Sequence, residues 1–342
     1  MSKDTNETGT SGQYEEVILD SNAIAPTDSA GNLIPVTIPV DLAPGIKVVY
    51  TTRLGGVSVG DWGNFNLGGK SGDSSVAVES NREALSKVVG APLSLVKQVH
   101  SGKAVDADDY FDCSTPYGCD RSGTVVEGQD GQSEEGAIEA DAQVSAQTGV
   151  AVGVFAADCL PVLLADPQAG VVAAAHCGRK GLRRGIIRAT VELMVSKGAK
   201  PERIITTLGP CICGDCYEVG DEIADEFDAQ FLGTFTLTRF GGPGIDISGA
   251  ALQELAEVGV PRDNIIDSMP RIQAATQYLD QDTELAALCA CDGEGSPDLV
   301  ERMSKVRHSR CTLENPLWYS HRRASLVGKG NEGRLLAVIV RE

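Results

Sequence analysis

Two histidines and one cysteine are the residues of this chain whose types and spacing most directly indicate chemistry. Cys159 directly follows Asp158, His176 lies seventeen residues after the cysteine, and His100 lies upstream. Imidazole and thiolate are common zinc ligands, and three protein ligands that leave one position open are typical of a catalytic zinc site. The same residues could instead form a cysteine nucleophile with a histidine base. Both hypotheses predict an enzyme, with Asp158 as a further candidate catalytic residue.

Predicted strands position these side chains. The apolar run from Val150 to Ala157 is typical of a strand buried on both faces. Two further strands flank a turn at 166–170, so Cys159 before the first arm and His176 after the second are expected at the same end of neighbouring strands. His100 ends another predicted strand, and reactive side chains commonly project from strand ends. These three strands are predicted over Leu95–Val99, Pro161–Ala165 and Val171–Ala175.

A series of short motifs runs through the chain in a characteristic order. The motifs are Thr51–Ser58, Asn66-Leu67, Gly72-Asp73, Asn81-Arg82, Gln98–His100, Ala140–Gly181, Gly209-Pro210, Tyr217–Val219 and Cys311-Thr312. Their order and spacing resemble the YfiH family, which is called both laccase-like polyphenol oxidase and purine nucleoside phosphorylase. Several motifs in one order are much harder to obtain by chance than a single pattern. The resemblance extends from about Val48 to Val340.

The resemblance implies a metal centre and a reaction. The family's metal ligands correspond to His100, Cys159 and His176, called the His-Cys-His trio below. Zinc is the expected cofactor because a d¹⁰ ion with these ligands needs no redox tuning, and copper is the alternative. The implied reaction is phosphorolysis of adenosine, inosine or methylthioadenosine with inorganic phosphate, together with adenosine deamination. Zinc would supply a nucleophilic water near neutral pH, and Asp158 is the candidate proton shuttle.

Other functions are kept as alternatives. A metal-free hydrolase would use Cys159 as nucleophile and His176 or His100 as base, and the resemblance suggests amide bonds of cell-wall precursors as substrates. A copper polyphenol oxidase of the laccase type needs clusters of histidines, and only His308 and His321 remain outside the trio. A non-enzymatic interpretation is a partner-binding protein whose insertions form the interaction surface.

Basic residues are the candidates for holding a phosphate group. Arg183 belongs to the densest basic segment, 179–188, near the start of a helix predicted over Leu182–Lys197. The N-terminus of a helix attracts anions through its free N–H groups and its dipole. Arg53 and Arg323 lie in family motifs, and a guanidinium group can bind phosphate or carboxylate in a bidentate manner. We therefore expect these three arginines to bind substrate.

Two further positions bear on the substrate. Asn66 lies in a family motif and completes the predicted substrate-binding set. Many relatives have an aromatic residue where this chain has Arg179. If that aromatic residue packs on a purine ring, the substrate preference here depends on whether another aromatic side chain, such as Trp62 or Trp318, replaces it.

The order of predicted elements indicates the fold class. Strands and helices alternate without a strict βαβ repeat, which favours an α+β fold. We expect a layered α/β/β/α architecture with mixed β-sheets in a single large domain. Residues 1–14 are predicted to be a disordered tail and residues 15–46 an N-terminal extension that forms a hairpin. Residues 47–342 are predicted to be the YfiH-like, metal-dependent catalytic domain. Insertions are expected at about 101–139, as a lid or a solvated loop, and at 267–307.

Composition restricts the partners. The chain has 48 acidic and 29 basic residues, a formal net charge of −19, so general binding to nucleic acid or to an anionic membrane is disfavoured by repulsion. The expected partners are a purine nucleoside and inorganic phosphate, and the oligomeric state is not predicted. The start of the chain does not have the pattern of a signal peptide, and no apolar run is long enough to span a bilayer, which predicts a cytoplasmic protein.

The ten cysteines are expected to be thiols, because their density is far below that of a disulfide scaffold and a reducing compartment keeps them reduced. Cys211, Cys213 and Cys216 form a cluster that could be a separate thiolate metal site. The cluster lacks a fourth ligand unless a distant residue joins it, and the spacing is not that of a common zinc ribbon. The alternative interpretation is a turn of free thiols.

Overall fold

A computed structural model describes residues 34–111 and 138–342 of the chain. Its first sheet contains five strands in the spatial order β1 (Thr37–Ala43), β2 (Ile46–Thr51), β13 (Leu335–Arg341), β6 (Ala151–Ala156) and β3 (Leu93–Ser94). The pairs from β1 to β6 are antiparallel, whereas β3 pairs with β6 in parallel. This sheet therefore joins the beginning, middle and end of the described chain.

A second sheet contains six strands and carries the predicted hairpin. The spatial order is β12 (Ile265–Ile266), β9 (Ile205–Leu208), β7 (Leu160–Asp166), β8 (Val171–Cys177), β5 (Ala142–Ser145) and β4 (Ala104–Asp106). The outer pairs are parallel and the inner pairs are antiparallel, so the sheet is mixed. A separate two-stranded ribbon joins β10 (Phe235–Leu237) and β11 (Pro243–Ile245).

The two large sheets share one apolar core. Val152 and Val154 of β6 belong to the same buried cluster as Leu163 of β7 and Ala174 of β8. The alternate residues of β8, such as Ala173, belong instead to a cluster formed with helices. Because successive side chains point to opposite faces of a strand, both faces of β8 are buried, which explains the near-continuous apolar sequences of the central strands.

Helices cover the outer faces of both sheets and confirm the predicted α/β/β/α layers. Helix α1 (Ser75–Val89) packs Leu85 and Val89 against the first sheet. The outer side of the second sheet is covered by α2 (Arg179–Arg183), α3 (Ile186–Ser196), α4 (Asp221–Gln230) and α5 (Ile247–Glu257). None of the helices in the two described ranges is long and apolar enough to cross a bilayer.

Segment 267–307 forms helices rather than a surface loop. It contains α6 (Met269–Thr276), α7 (Thr283–Cys291) and α8 (Leu299–Met303), and α9 (His321–Leu326) follows it. Ile272, Leu285 and Leu299 of these helices join the core between the sheets. The segment predicted as an insertion therefore contributes to the main core.

Two local predictions near the site were wrong in detail. The helix predicted over Leu182–Lys197 is divided into α2 and α3 because Gly185 has a φ of +72°, which a helix does not allow. The strand predicted over Leu95–Val99 is irregular beyond the short β3. The side chain of Gln98 accepts a hydrogen bond from the Phe155 amide (2.6 Å) and donates one to the Phe155 carbonyl (2.9 Å). At this point the side chain therefore makes the hydrogen bonds that the backbone of a paired strand would make.

Several predicted features fall wholly or partly outside the described residues. This holds for the tail at 1–14, for the first arm of the predicted hairpin and for residues 112–137 of the first predicted insertion. Within the described range, β1 pairs with β2 and so extends the first sheet.

Candidate functional site

The structure brings together the three residues of the His-Cys-His trio. Cys159 lies where the chain passes from β6 in the first sheet to β7 in the second, and His176 lies in the adjacent strand β8. The Cys159 Sγ atom is 3.8 Å from Nε2 of His100, and one ligand atom from each residue lies within 4.8 Å of the other two. The predicted placement of Cys159 and His176 at one end of neighbouring strands is confirmed.

The backbone beside the trio adopts an uncommon conformation. Among the described non-glycine residues, only His100 and Asp158 have positive φ, of 56° and 89°. Such conformations cost about 1–3 kcal/mol each and persist where surrounding contacts enforce them. For Asp158 these contacts are the Thr312 hydroxyl, which donates to Oδ1 (2.6 Å), and the Arg322 amide, which donates to Oδ2 (2.7 Å).

Asp141 is a functional residue that the sequence interpretation did not assign. It precedes β5, and its Oδ1 lies 2.9 Å from Nδ1 of His176. Its two oxygens also accept hydrogen bonds from the amides of His100 (2.9 Å) and Ser101 (2.5 Å) and from the Ser101 hydroxyl (2.7 Å). One buried carboxylate therefore orients the His176 ring and holds the loop that carries His100. The Nε2 atom of His176 is left for the trio.

The electrostatics of the trio favour charged side chains. Burial alone would raise the pKa of Cys159, but the charge of His176 and hydrogen bonds with both histidines outweigh it and lower the pKa to about 6. Burial would lower the pKa of His176, but the Cys159 thiolate and the Asp141 carboxylate raise it to about 9. For Asp141, the penalty of burial is outweighed chiefly by the bond to His176, which brings the pKa to about 2. Without a metal, Cys159 is therefore a thiolate, His176 an imidazolium and Asp141 a carboxylate.

A cavity of about 480 Å³ opens beside the trio. All three trio residues and Asp158 line it, so all four predicted catalytic residues share one space. Phe155 and Tyr217 supply aromatic surface. The lining also includes cationic or titratable side chains that the sequence interpretation did not single out as substrate contacts, namely Lys70, Lys97, His321, Arg322 and Arg334. The volume is in the range of small-molecule sites.

Asn66 lies behind one wall of this cavity. Its side chain donates to Ser71 Oγ (2.9 Å) and Asp73 Oδ2 (2.9 Å), and its Oδ1 accepts from the amides of Gly68 (3.0 Å) and Arg334 (2.9 Å). Gly68, Ser71 and Arg334 line the cavity, whereas Asn66 itself is buried beneath them. Asn66 is thus placed to position the wall.

The three arginines predicted to bind substrate do not line the cavity. Arg53 is 1% exposed and forms an ion pair with Asp292 (3.3 Å), and Arg323 is buried with its Nε 2.8 Å from Glu294. Their carboxylate partners come from segment 267–307, which could not be linked to these motifs by sequence proximity. A buried guanidinium requires such a partner.

Arg183 lies elsewhere on the surface. It belongs to α2 and pairs with Glu226 of α4 at 2.8 Å. Because α2 has only five residues, Arg183 does not lie at the N-terminus of the long helix from which the phosphate site is expected. The neighbouring Arg184 instead donates from Nη1 to the carbonyl of His100 and thereby supports the trio's loop.

The donor set of the trio fits a metal ion. One thiolate and two imidazoles suit zinc or copper, and their ligand atoms converge beside an open cavity. The contact between Asp141 and His176 Nδ1 is the kind that usually fixes the ring of a metal-ligating histidine. The geometry therefore permits a centre with one side open to a substrate.

Comparison with known proteins identifies the family of this chain. A model of the family described as multi-copper polyphenol oxidoreductase laccase matches residues 47–282. The protein belongs to the laccase-like YfiH family. The YfiH protein of Bacillus licheniformis shares the fold at 21% identity, with a TM-score of 0.63 over 90% of this chain and 97% of its own. A crystallised DUF152 protein of Neisseria meningitidis is 27% identical, with a TM-score of 0.62 over 91% of this chain and 99% of its own.

Several relatives of this YfiH-family protein carry enzyme names. A purine nucleoside phosphorylase of Streptomyces griseus is 41% identical over 214 residues, which is 62% of this chain and 79% of the relative. An adenosine deaminase of an unknown prokaryotic organism is 33% identical over 232 residues, which is 66% of this chain and 83% of the relative. These names support a nucleoside phosphorylase-like enzyme and do not distinguish among substrates.

This YfiH-family protein has its own aromatic surface in the cavity. Trp318 is fully buried and donates from Nε1 to the Ser309 carbonyl (2.9 Å), and Trp62 donates to the Ser71 carbonyl (2.8 Å). Neither tryptophan lines the cavity, and among the described residues its phenylalanine and tyrosine rings are those of Phe155 and Tyr217.

Proposed function

We propose that this protein is a purine nucleoside phosphorylase that acts on adenosine, inosine or methylthioadenosine with phosphate, and that it also deaminates adenosine. The observation that carries the proposal is the shared cavity, which combines the His-Cys-His trio, aromatic surface and cationic side chains. Relatives named purine nucleoside phosphorylase and adenosine deaminase support the same pair of reactions.

The cavity walls suggest how a nucleoside and phosphate would bind. Phe155 and Tyr217 offer ring faces for a purine base, and Arg322 lies 5.4 Å from the Tyr217 ring centre, where it is anchored to the Glu218 carbonyl (2.7 Å). We assign phosphate binding to Arg322 together with Lys97, because both line the cavity, whereas Arg53 and Arg323 do not. Cations are needed locally because the chain as a whole repels anions.

Within this proposal, His100, Cys159 and His176 hold a zinc ion, with copper as the alternative. Zinc when bound would polarise a substrate atom and lower the pKa of water for deamination. Asp141 keeps the proton on Nδ1 of His176, so that Nε2 can act as a ligand. The carboxylate of Asp158 is fixed by Thr312 and Arg322 at the cavity surface, where in the deamination it can take a proton from the attacking water and pass it to the departing amino group.

An assay of purified protein with and without phosphate tests the proposed function. We expect adenosine, inosine or methylthioadenosine to give free base and sugar 1-phosphate only when phosphate is present, and adenosine to give inosine without it. Cys159→Ala removes a metal ligand and should lower both activities by about 100-fold or more. Asp141→Asn removes the carboxylate that orients His176 and should lower them by about 10–100-fold. Cys291→Ser, at an exposed position outside the trio, is the matched control and should keep full activity.

A result in which none of the nucleosides is consumed, with zinc-loaded and folded protein, would refute the proposal. Product formation that persists in Cys159→Ala would refute the assigned site while leaving the activity intact. Metal content measured by mass spectrometry accompanies each assay and identifies zinc or copper.

A metal-free cysteine hydrolase is the second candidate function. The observation that favours it is the series Cys159, His176 and Asp141, in which the pKa of the thiol falls to about 6. Protein that carries no metal, hydrolyses amide substrates and loses this activity on alkylation of Cys159 would support it. The copper oxidase alternative has less support, because His308 and His321 pair with Asp215 and Glu332 and do not join the trio.

A further inference from the structure

A second cluster of metal-ligating side chains lies outside the His-Cys-His trio. It consists of Cys213, Cys216, Cys311 and Glu314, and one ligand atom from each lies within 4.8 Å of all the others. Cys216 and Cys311 are buried, and the side chain of Glu314 is 0% exposed. The eight cysteines in the described part of the chain are unpaired. The structure thus supplies what Cys213 and Cys216 lack in sequence, a third thiol and a carboxylate from about one hundred residues away.

The backbone sets the positions of the three sulfur atoms. The amides of Cys216 and Tyr217 both donate to the Cys213 carbonyl (3.0 Å each), which turns the chain so that Cys213 and Cys216 face the same point. The Cys213 amide points at Cys311 Sγ (3.4 Å). Cys311 is held beside this turn by a bridge to Cys211, in which the Thr312 amide donates to the Cys211 carbonyl (3.0 Å).

The carboxylate of Glu314 is oriented toward the sulfur atoms. Its Oε2 accepts hydrogen bonds from the amides of Arg307 and His308 (2.8 Å each), and its Oε1 lies 3.3 Å from Cys216 Sγ and 3.0 Å from Nη1 of Arg239. These four contacts fix a carboxylate that would otherwise be costly to bury. A divalent cation bound by three thiolates and the Glu314 carboxylate would, together with Arg239, offset most of the negative charge of these four ligands.

We propose that Cys213, Cys216, Cys311 and Glu314 bind one zinc ion as a closed, structural site. Thiolate sulfur with a carboxylate oxygen is a ligand set that zinc accepts, and ligands about 2.0–2.3 Å from one tetrahedral ion lie about 3.3–3.8 Å from each other, so a cluster of this size needs little adjustment. An amide that points at a ligand sulfur stabilises the thiolate form. Binding releases the thiol protons to solvent.

The proposed site braces one wall of the cavity. The Ile212 amide, next to Cys213 in sequence, donates to the Asp158 carbonyl (3.0 Å). Thr312, next to Cys311, donates to Asp158 Oδ1 (2.6 Å), and Tyr217, next to Cys216, lines the cavity. Loss of this zinc should therefore lower activity through Asp158 and Tyr217, whereas loss of the trio's metal should leave the second zinc in place.

The decisive experiment measures zinc per chain in Cys159→Ala, a variant whose trio is incomplete. Untagged protein, purified under reducing conditions without added metal, is analysed by mass spectrometry. We expect about one zinc per chain in Cys159→Ala and none in the double variant Cys159→Ala/Cys311→Ser. Cys159→Ala/Cys291→Ser is the matched control, with the exposed Cys291 outside both clusters, and should keep its zinc.

Cobalt substitution tests the site in Cys159→Ala itself, so the result does not depend on whether the double variant folds. Cys159→Ala loaded with Co²⁺ should show an intense sulfur-to-cobalt charge-transfer band from the cluster's thiolates. Absence of zinc and of this band in folded Cys159→Ala would overturn the proposal, and so would a mass two hydrogens lower that maps to a disulfide among the three cysteines. One zinc in both wild type and Cys159→Ala would uphold this site and refute zinc at the trio.

Discussion

At the scale of single residues, the geometry of the trio depends on a neighbouring glycine as well as on the three ligand residues. Gly178 follows β8, and a Cβ atom there would lie 2.7 Å from Cys159 Sγ and 3.2 Å from Cδ2 of His100. Its φ of −76° is one that alanine adopts without strain, so the residue is required for space rather than for backbone freedom. The packing of the trio is therefore tight on the side that faces Gly178.

We predict that Gly178→Ala folds normally but displaces the trio. The ligand atoms would have to move by a fraction of an ångström or more, and such misplacement commonly costs about 100-fold in rate. Nucleoside turnover and metal content should both fall, and the unfolding midpoint should stay close to that of wild type. Gly330→Ala is the matched control because its added Cβ would meet no atom within 4 Å. Unchanged metal content in Gly178→Ala would show that the trio tolerates the methyl group.

At the scale of elements, a buried carboxylate lies between α5 and α3. Glu254 is 3% exposed, its Oε1 accepts from the Arg188 amide (3.1 Å), and its Oε2 has no hydrogen-bond partner among the described residues. Burial raises the pKa of Glu254 to about 7 against an ordinary value of 4.5. The buried surroundings of Glu254 between the two helices therefore favour its protonated form.

This contact should make stability depend on pH. Because the folded-state pKa is raised, the contribution of the protonated acid is fully present below about pH 4.5 and is lost as the pH rises through about 7. We expect Glu254→Gln to remove this loss and to be more stable than wild type at pH 8.5 by on the order of 1–3 kcal/mol. Urea unfolding at pH 5.5 and 8.5 measures the effect. Glu192→Gln, at an exposed position of α3, should leave the pH dependence unchanged.

At the scale of the whole molecule, segment 267–307 is tied to the core by buried charges. Asp292 pairs with Arg53 (3.3 Å) and Arg302 (2.5 Å), while Glu294 pairs with Arg323 (2.8 Å) and Lys329 (3.1 Å). The segment therefore neutralises arginines contributed by both the beginning and the end of the described chain. It acts as a structural part of the domain.

We predict that Asp292→Asn destabilises the protein strongly. Removal of one partner leaves a buried guanidinium uncompensated, which typically costs about 3–5 kcal/mol. Chemical unfolding should show this loss, whereas nucleoside turnover per folded molecule should remain, because the ion pairs lie outside the cavity. Asp280→Asn, at an exposed position in the same segment, is the control. A loss of turnover without a loss of stability would instead assign Asp292 to the active site.

The sequence by itself determined the features that depend on local pattern. Apolar runs predicted the central strands, the turn at 166–170 predicted the hairpin, and the hairpin placed Cys159 and His176 together, as the structure confirms. The layered α+β fold also followed, because the alternation of strands and helices reflects which faces must be buried. These inferences hold because the spacing of residues along a strand or helix fixes which of them share a face.

Only the tertiary structure decided which distant side chains meet. Asp141 lies 35 residues before His176 in sequence and contacts its ring, and Cys311 lies 98 residues from Cys213 and joins it in one cluster. Arg53 and Arg323 have the composition of anion-binding residues, yet buried carboxylates from segment 267–307 neutralise them. The physical reason is that charge pairing and ligand convergence act through space across a few ångströms, and no periodicity along the chain encodes those contacts.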